Sequence, residues 1–298
     1  MKTLKIGIIG FSDGNGHPYS WASIFNGYNP SIMEDCGFPL IPRYLEQQKF
    51  PDDTIKEASV THVWTQDFTL SKHISKAANI PNVVRNFSEM INHVDAILLA
   101  RDDAETHYEL AAPFLNAGLP IYIDKPFTLS VEECNQLYDL EQFPGQIFTC
   151  SALKYAQEFQ MNDDIRSKIG KLRHICASTP KSWDKYGLHV IEPLLKISGD
   201  QGRLMKCQVW NNENRVINNY LWESGFQATI SALGNISCPL GLRLIGENGW
   251  HDMIFKDSFF AFRAALNDFI QGIINKDVRS DPRFVRKTVE IIQLGRSK

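Results

Sequence analysis

Residues 95–133 read DAILLARDDAETHYELAAPFLNAGLPIYIDKPFTLSVEE. Asp95 to Ala100 is apolar throughout after its first residue, the pattern of a strand buried on both faces. Thr106 to Ala117 follows with helical spacing and stops at Gly118. Pro120 to Asp124 is a second apolar run. Val131 to Leu140 is a second helix behind the candidate N-cap Ser130. Strand, helix, strand, helix in succession predicts a parallel sheet covered by helices.

The same alternation extends in both directions. Leu4 to Gly10 is a compact apolar strand ending in glycine, and Pro18 to Tyr28 a helix with Pro18 in its first turn. Val60 to Thr65 reads as a strand, Leu70 to Ala78 as a helix, and Gln146 to Ser151 as the closing strand. Residues 29–57 interrupt the series with Pro30, Pro39, Pro42 and Pro51 and one expected helix from Pro42 to Gln48. This segment is either a surface insertion or a lid or partner surface.

After residue 153 the pattern changes. Leu172 to Ser178, Leu204 to Trp210, Val216 to Trp222, Gln227 to Leu233 and Leu240 to Gly246 read as strands, mostly without helices between them. That points to an antiparallel sheet. Helices are expected over Ser258 to Ile274 and Asp281 to Leu294. The fold expected is α/β: a Rossmann-like, doubly wound parallel sheet over 1–153, then an α/β domain with a mostly antiparallel open sheet over 154–298.

The 298 residues carry 31 basic and 34 acidic side chains, a net charge of -3, which supplies no basic surface for nucleic acid or anionic membrane. The longest uncharged stretch, Ser224 to Leu242, is studded with Ser, Gln, Thr, Asn, Gly and Pro and cannot face lipid. The N-terminal apolar run is too short for a signal peptide. A cytoplasmic location is the expectation, with the sequons at Asn86 and Asn235 chance matches. Cys36, Cys134, Cys150, Cys176, Cys207 and Cys238 show no CxxC spacing and read as reduced core residues. No metal-ligand constellation stands out among the eight histidines, so no metal is expected.

The turn after the first strand, Gly10-Phe11-Ser12-Asp13-Gly14-Asn15-Gly16-His17-Pro18, is glycine-rich but not GxGxxG. With Gly10 as the first glycine, Ser12 takes the second position, where backbone approaches a pyrophosphate. The turn is either a nucleotide cradle at a helix N-terminus or a plain tight turn. Gly10 to Gly14 also spell GxSxG, a nucleophile elbow that would make Ser12 the nucleophile of a serine hydrolase. That motif normally follows several earlier strands, whereas Ser12 follows the first.

Residues 95–133 resemble the glucose–fructose oxidoreductase, inositol dehydrogenase and rhizopine catabolism family (Gfo/Idh/MocA). Thr106-His107 matches the family's Thr-His pair, and Asp124-Lys125-Pro126 its Glu-Lys-Pro. Lys154-Tyr155 stands where the family has an Arg-aromatic pair, and Gly187-Leu188-His189 matches the Gly-x-His that carries its catalytic histidine. The family usually has Asp four residues before that histidine. Here Lys185 stands there, with Asp184 beside it. The resemblance, from Lys5 to about Ile292 without the 29–57 insertion, implies an NAD(P)-dependent oxidoreductase acting on a sugar or nucleotide-sugar derivative. It also implies a homodimer or homotetramer formed through the open face of the second sheet.

The chemistry fits those residues. Asp124 and Lys125 sit at the carboxyl end of a central strand, the side on which open α/β sheets bind ligands. Removing hydride from a carbinol carbon requires a base at its hydroxyl, and Lys125 with His189 would supply the base and its partner. The plain alternatives are a surface ion pair between Lys125 and Asp124, and a structural His189. Gln66 or Asp67 would read the ribose, an acid there favouring NAD over NADP, or Asp67 is a helix N-terminal acid. Arg101 would contact the pyrophosphate, whereas Asp102 and Asp103 would cap the following helix. The cofactor set is then Gly10, Ser12, Asp13, Gly14, Gln66, Asp67, Arg101, Asp124 and Lys125. Substrate candidates are Lys154, Tyr155, Trp183 and Tyr186, the last two either stacking on a sugar ring or packing in the core. The competing reading is a non-catalytic sugar- or nucleotide-binding protein that kept the fold.

Overall fold

The computed structural model describes residues 3–212 and 214–296. Its first sheet contains β1 (Leu4–Ile9), β2 (Ala58–Trp64), β3 (Asn82–Val83), β4 (Ala96–Leu99), β5 (Ile121–Ile123) and β6 (Ile147–Phe148) in the order β3-β2-β1-β4-β5-β6. Every neighbouring pair is parallel. Ile6, Ile8 and Ile9 of β1 and the whole of β4 are fully buried, which explains why these strands read as unbroken apolar runs. The helices of this half are α1 (His17–Asn26), α2 (Pro30–Met33), α3 (Leu40–Glu46), α4 (Phe68–Ala77), α5 (His107–Asn116) and α6 (Val131–Tyr138). The strand order reverses direction between β1 and β4. The turns leaving β1, β4 and β5 therefore lie at neighbouring strand ends, where this class of sheet binds ligands.

Residues 29–57 differ from the expectation of one helix at Pro42–Gln48. Asn29 caps α2, its side chain accepting from the Ile32 N–H, and α3 starts at Leu40. The segment seats on the glycine-rich turn. Phe38 meets Phe11 edge-on at 6.1 Å and Tyr19 at 6.4 Å between ring centroids. A Cβ on Gly16 would stand 2.5 Å from Ile41 Cδ1 and 2.8 Å from Phe38 Cγ, so only glycine fits beneath the insertion.

The second half holds α7 (Asp163–Ile169), β7 (Leu172–Thr179), α8 (Trp183–Tyr186), α9 (Leu188–Ser198), β8 (Leu204–Asn212), β9 (Arg215–Trp222), β10 (Gln227–Ala232), β11 (Gly241–Gly246) and β12 (Trp250–Ile254). Its sheet runs β12-β11-β7-β10-β9-β8. All pairs are antiparallel except β7 with β10, which are parallel. The helix α9 sits between β7 and the later strands and allows that one parallel pairing. Then come α10 (Ser258–Asn275) and α11 (Pro282–Gly295).

The chain forms two compact units that interleave along the sequence. The first comprises the described residues of Met1–Thr128, Asn135–Cys150 and Phe262–Pro282; the second takes the remainder. Most of α10 thus belongs with the parallel sheet, where Phe269 packs on Tyr122 at 5.8 Å and Phe148 at 5.6 Å. Among the described residues no helix is long and apolar enough to cross a membrane.

Candidate functional site

In the first unit, the turns after β1, β4 and β5 converge on two buried carboxylates. Gly10 has φ +85°, and a Cβ there would lie 2.4 Å from Arg101 Cγ, so the turn can pass under the β4 loop only with glycine. Ser12 follows, 7% exposed. Its hydroxyl donates to Asp102 Oδ1 at 2.7 Å and accepts the Asp102 backbone N–H at 3.1 Å. The Lys125 ammonium lies 3.5 Å from Asp102 Oδ2, with both side chains 6% exposed. The ion pair expected between Lys125 and Asp124 is therefore not the one formed: the lysine side chain turns to Asp102.

Asp124 has other partners. Its Oδ1 accepts the Lys125 backbone N–H at 2.7 Å. Its Oδ2 accepts from Asn15 Nδ2 at 2.8 Å and pairs with His17 Nδ1 at 2.5 Å. The His17 ring is stacked on Trp21 at 4.7 Å, which fixes its plane. Asp124 thereby ties the end of β5 to the last residues of the glycine-rich turn and the first turn of α1.

The β4 loop corrects the capping expectation for Asp103. It stands at the N-cap of a short turn of helix at Ala104–Thr106 but makes no side-chain cap bond. Its carboxylate instead takes Arg101, from Nε at 2.8 Å and from the second guanidinium nitrogen. Burial disfavours the Asp103 charge, but the hydrogen bonds and charge of Arg101 outweigh it and hold the carboxyl below its usual range. Asp102, also expected as a cap, is engaged by Ser12 and Lys125. His107 is fully buried. Its ring nitrogens lie 3.0 Å from the Phe127 and Arg101 carbonyls and join the loops after β4 and β5.

Asp13 and Gln66 are exposed, and Gln66 Nε2 donates to the Phe11 carbonyl at 2.5 Å, linking the end of β2 to the turn. A Cβ on Gly14, with φ +78°, would meet nothing within 4 Å, so the turn is open there. Asp67 caps α4, its Oδ1 accepting from the Thr69 N–H at 2.7 Å and the Leu70 N–H at 3.3 Å. At the N-terminus of α1 the His17 N–H is taken by Asn15 Oδ1 at 2.9 Å, Pro18 has none, and the Tyr19 N–H returns to the Gly16 carbonyl at 3.1 Å. The φ-positive glycines and the open rim at Gly14, rather than the first turn of α1, are the part of the turn that fits a pyrophosphate. The side chain at the close-approach position, Ser12, is folded down onto Asp102.

In the second unit, Gly187 and Leu188 bring His189 into the first turn of α9. His189 is 8% exposed, and its Nδ1 is 2.8 Å from Ser151 Oγ. Ser151 Oγ also accepts the Leu153 N–H at 3.3 Å. The Ser151 N–H donates to Glu192 Oε2 at 3.0 Å. Glu192, one helical turn after His189, is 4% exposed. Burial pushes its carboxyl from the usual 4.5 up to about 7, against the opposing pull of the Lys154 charge and the Ser151 N–H. The Tyr186 ring stands edge-on to His189 at 5.0 Å, and its hydroxyl accepts from Lys181 Nζ at 2.6 Å.

The other expected residues of this unit divide. Asp184 pairs with Arg296 at 3.2 Å on the surface, so it is not drawn to His189. Lys185 is half-buried on α8. Trp183 is buried, 3% exposed, with its Nε1 donating to the Ile292 carbonyl at 2.9 Å. Lys154 and Tyr155 are half-buried, with the Lys154 ammonium 5.0 Å from the Tyr155 ring centroid. Asp102 pairs with Lys125, and Ser151 bonds both His189 and Glu192; none of these partners is marked by a motif. All six cysteines are free thiols. Burial pushes Cys134 up to about 11, leaving it unreactive.

Residues 41–151 match the family model GFO_IDH_MocA, described as an oxidoreductase family with an NAD-binding Rossmann fold. No curated protein sequence matches the chain. Among solved structures, scyllo-inositol dehydrogenase from Lactobacillus casei with bound NAD(H) and scyllo-inositol is 14% identical. The alignment covers 98% of this chain and 96% of that one, with a TM-score of 0.71. UDP-N-acetylglucosamine 3-dehydrogenase from Acidithiobacillus ferrooxidans is 15% identical over 99% and 97% of the two chains, with a TM-score of 0.72. Biliverdin reductase from Synechocystis, in complex with biliverdin and NADP+, is 13% identical over 98% and 97%, with a TM-score of 0.70. At these identities the likeness establishes the fold over nearly the whole chain. Residues 41–151 thus carry a likeness to the Gfo/Idh/MocA family of NAD-binding oxidoreductases.

Proposed function

We propose that the protein is an NAD-dependent dehydrogenase or reductase acting on a hydroxyl or keto group of a sugar, polyol or nucleotide sugar. The observation that carries this reading is Lys125, buried at the carboxyl end of β5 beside the glycine-rich turn. A buried ammonium is costly unless it is paired, and a protein with no use for it has no reason to keep it there. The nicotinamide supplies the hydride acceptor; this chain's residues handle the proton. On oxidation, hydride leaves the carbinol carbon while the hydroxyl proton passes to a base. Lys125 is the base proposed for that hydroxyl, and His189 is a second proton-handling residue of the chain. The turn from Gly10 to Gly16 takes the pyrophosphate, and Asp67 receives a ribose hydroxyl while capping α4. Two of the three structural relatives described above act on a polyol or a nucleotide sugar, which supports that substrate class.

Oligomerisation through the second sheet is part of the proposal. Strand pairing places Trp210, Ile217, Ser231, Ser178 and Ile254 on one sheet face. Trp210 is 51% and Ile254 46% exposed, an apolar surface suited to a second copy of the chain. Free thiols throughout are in keeping with a reducing, cytoplasmic setting. Ser12 does not favour a hydrolase, since its hydroxyl is bonded to a carboxylate that is itself paired with Lys125 and not to an imidazole. The deciding experiment is NAD reduction with scyllo-inositol and UDP-N-acetylglucosamine, comparing wild type with Lys125→Met. Turnover lost in the variant supports the assignment; equal turnover overturns it.

A further inference from the structure

We infer that Asp102 is a positioning residue for Lys125, and that Ser12 holds Asp102 in place. The inference rests on the dehydrogenase reading for its catalytic part and on geometry alone for the pairing.

Two features of the sequence meet here. Ser12 stands at the second-glycine position of the turn, and the charged run Arg101-Asp102-Asp103 forms the loop after β4. The two are 90 residues apart in sequence, yet they are bonded to one another. Ser12 Oγ both donates to the Asp102 carboxylate and accepts the Asp102 backbone N–H, so a single hydroxyl closes a ring on one residue. That ring fixes the Asp102 side-chain torsion and aims its second oxygen, Oδ2, at Lys125 Nζ, 3.5 Å away. A lysine ammonium is a compact charge on a flexible four-carbon stem with three rotating donors. Without a fixed acceptor it has no defined place. The other nearby carboxylate, Asp124, is bound to Asn15, His17 and the Lys125 backbone, so the two acids have separate tasks. Arg101 and Asp103 neutralise one another and leave Asp102 the loop's charge for the lysine. The loop after β4 thus sets the lysine from the same turn that is proposed to receive the pyrophosphate.

The test is a double-mutant cycle with Asp102→Asn, Lys125→Met and both together. Thermal melts without substrate read the pair itself. Each single change leaves one buried group without its counter-charge and lowers Tm, while the double variant loses less than the sum. Steady-state kinetics with NAD and whichever of scyllo-inositol and UDP-N-acetylglucosamine the wild type turns over read the positioning. Asp102→Asn lowers kcat on the order of 10- to 100-fold, with KM and NADH affinity within about two-fold, and adds no further loss in the Lys125→Met background. Ser12→Ala shows the same pattern at smaller size, a few-fold in kcat. Wild-type kcat in Asp102→Asn, or an undiminished kcat cost of that change in the Lys125→Met background, overturns the positioning role. If neither single variant folds, the double decides: a folded double supports the pair, and an unfolded double shows that Asp102 is needed apart from Lys125. Because the melts need no substrate, a protein without dehydrogenase activity fails the functional proposal while leaving the pairing open to confirmation.

Discussion

Ser151 Oγ lies 2.8 Å from His189 Nδ1, and the same Ser151 donates its backbone N–H to Glu192, one turn further along the histidine's own helix. The hydroxyl also accepts the Leu153 N–H at 3.3 Å, so Ser151 ties the histidine to the start of the following turn.

Ser151→Ala is expected to lower turnover by about 10-fold or more while leaving NADH affinity unchanged. Nitrogen NMR of the His189 ring should show a changed tautomer balance when the Ser151 hydroxyl is removed. An unchanged ring spectrum with reduced stability would make Ser151 a fold element only.

Glu192 gives a pH signature. Its carboxyl is raised from the usual 4.5 to about 7 by burial, so the folded protein binds the proton more tightly than the unfolded chain. Stability from this group is full below about pH 4.5, declines as pH rises, and is gone above about pH 7. The swing is roughly 3 kcal/mol at most. Glu192→Gln should flatten that part of the stability profile in urea titrations at pH 5 and pH 8. A variant that retains the wild-type slope assigns the effect to another group.

Asp67→Ala should cost about 1 kcal/mol through loss of the α4 cap. The informative readout is the ratio of NADH to NADPH affinity. Loss of the NADH preference means Asp67 also reads the ribose; an unchanged ratio means the cap is its whole role.

Gly10→Ala introduces a Cβ 2.4 Å from Arg101 Cγ at a φ of +85°. The strain is about 1–3 kcal/mol. Melting temperature and NADH affinity are expected to fall together, because the residue that yields is in the adjoining loop. A variant as stable as wild type would show that the turn relaxes freely.

The parallel sheet was legible because β1 and β4 are buried on both faces and must be apolar throughout, as Ile6 to Ile9 and Ala96 to Leu99 are. Lys125 and His189 could be singled out as candidates because Asp-Lys-Pro and Gly-x-His are local words. Their partners were not. Asp102 reaches Ser12 across 90 positions and Ser151 reaches His189 across 38, and no spacing announces such pairs. The strand β3 has two residues, too few to show a period, and the parallel pairing of β7 with β10 depends on a helix between them. The end of α10 packs on Tyr122 through Phe269, a contact set by tertiary burial and not by helical pattern.

Turnover tests the proposed roles of Lys125 and His189. Each of Lys125→Met and His189→Ala should lower kcat on the order of 100-fold or more, and the double variant should be little worse than either. Fully additive losses would mean that the two act on different steps.

Isothermal titration of the wild-type protein with NADH and, separately, NADPH tests the central claim most directly. The account predicts saturable one-site binding of NADH, tighter than NADPH, and unaffected by Lys125→Met. No heat of binding for either nucleotide at millimolar concentration would contradict the oxidoreductase assignment for this chain and leave a binding protein on the same fold.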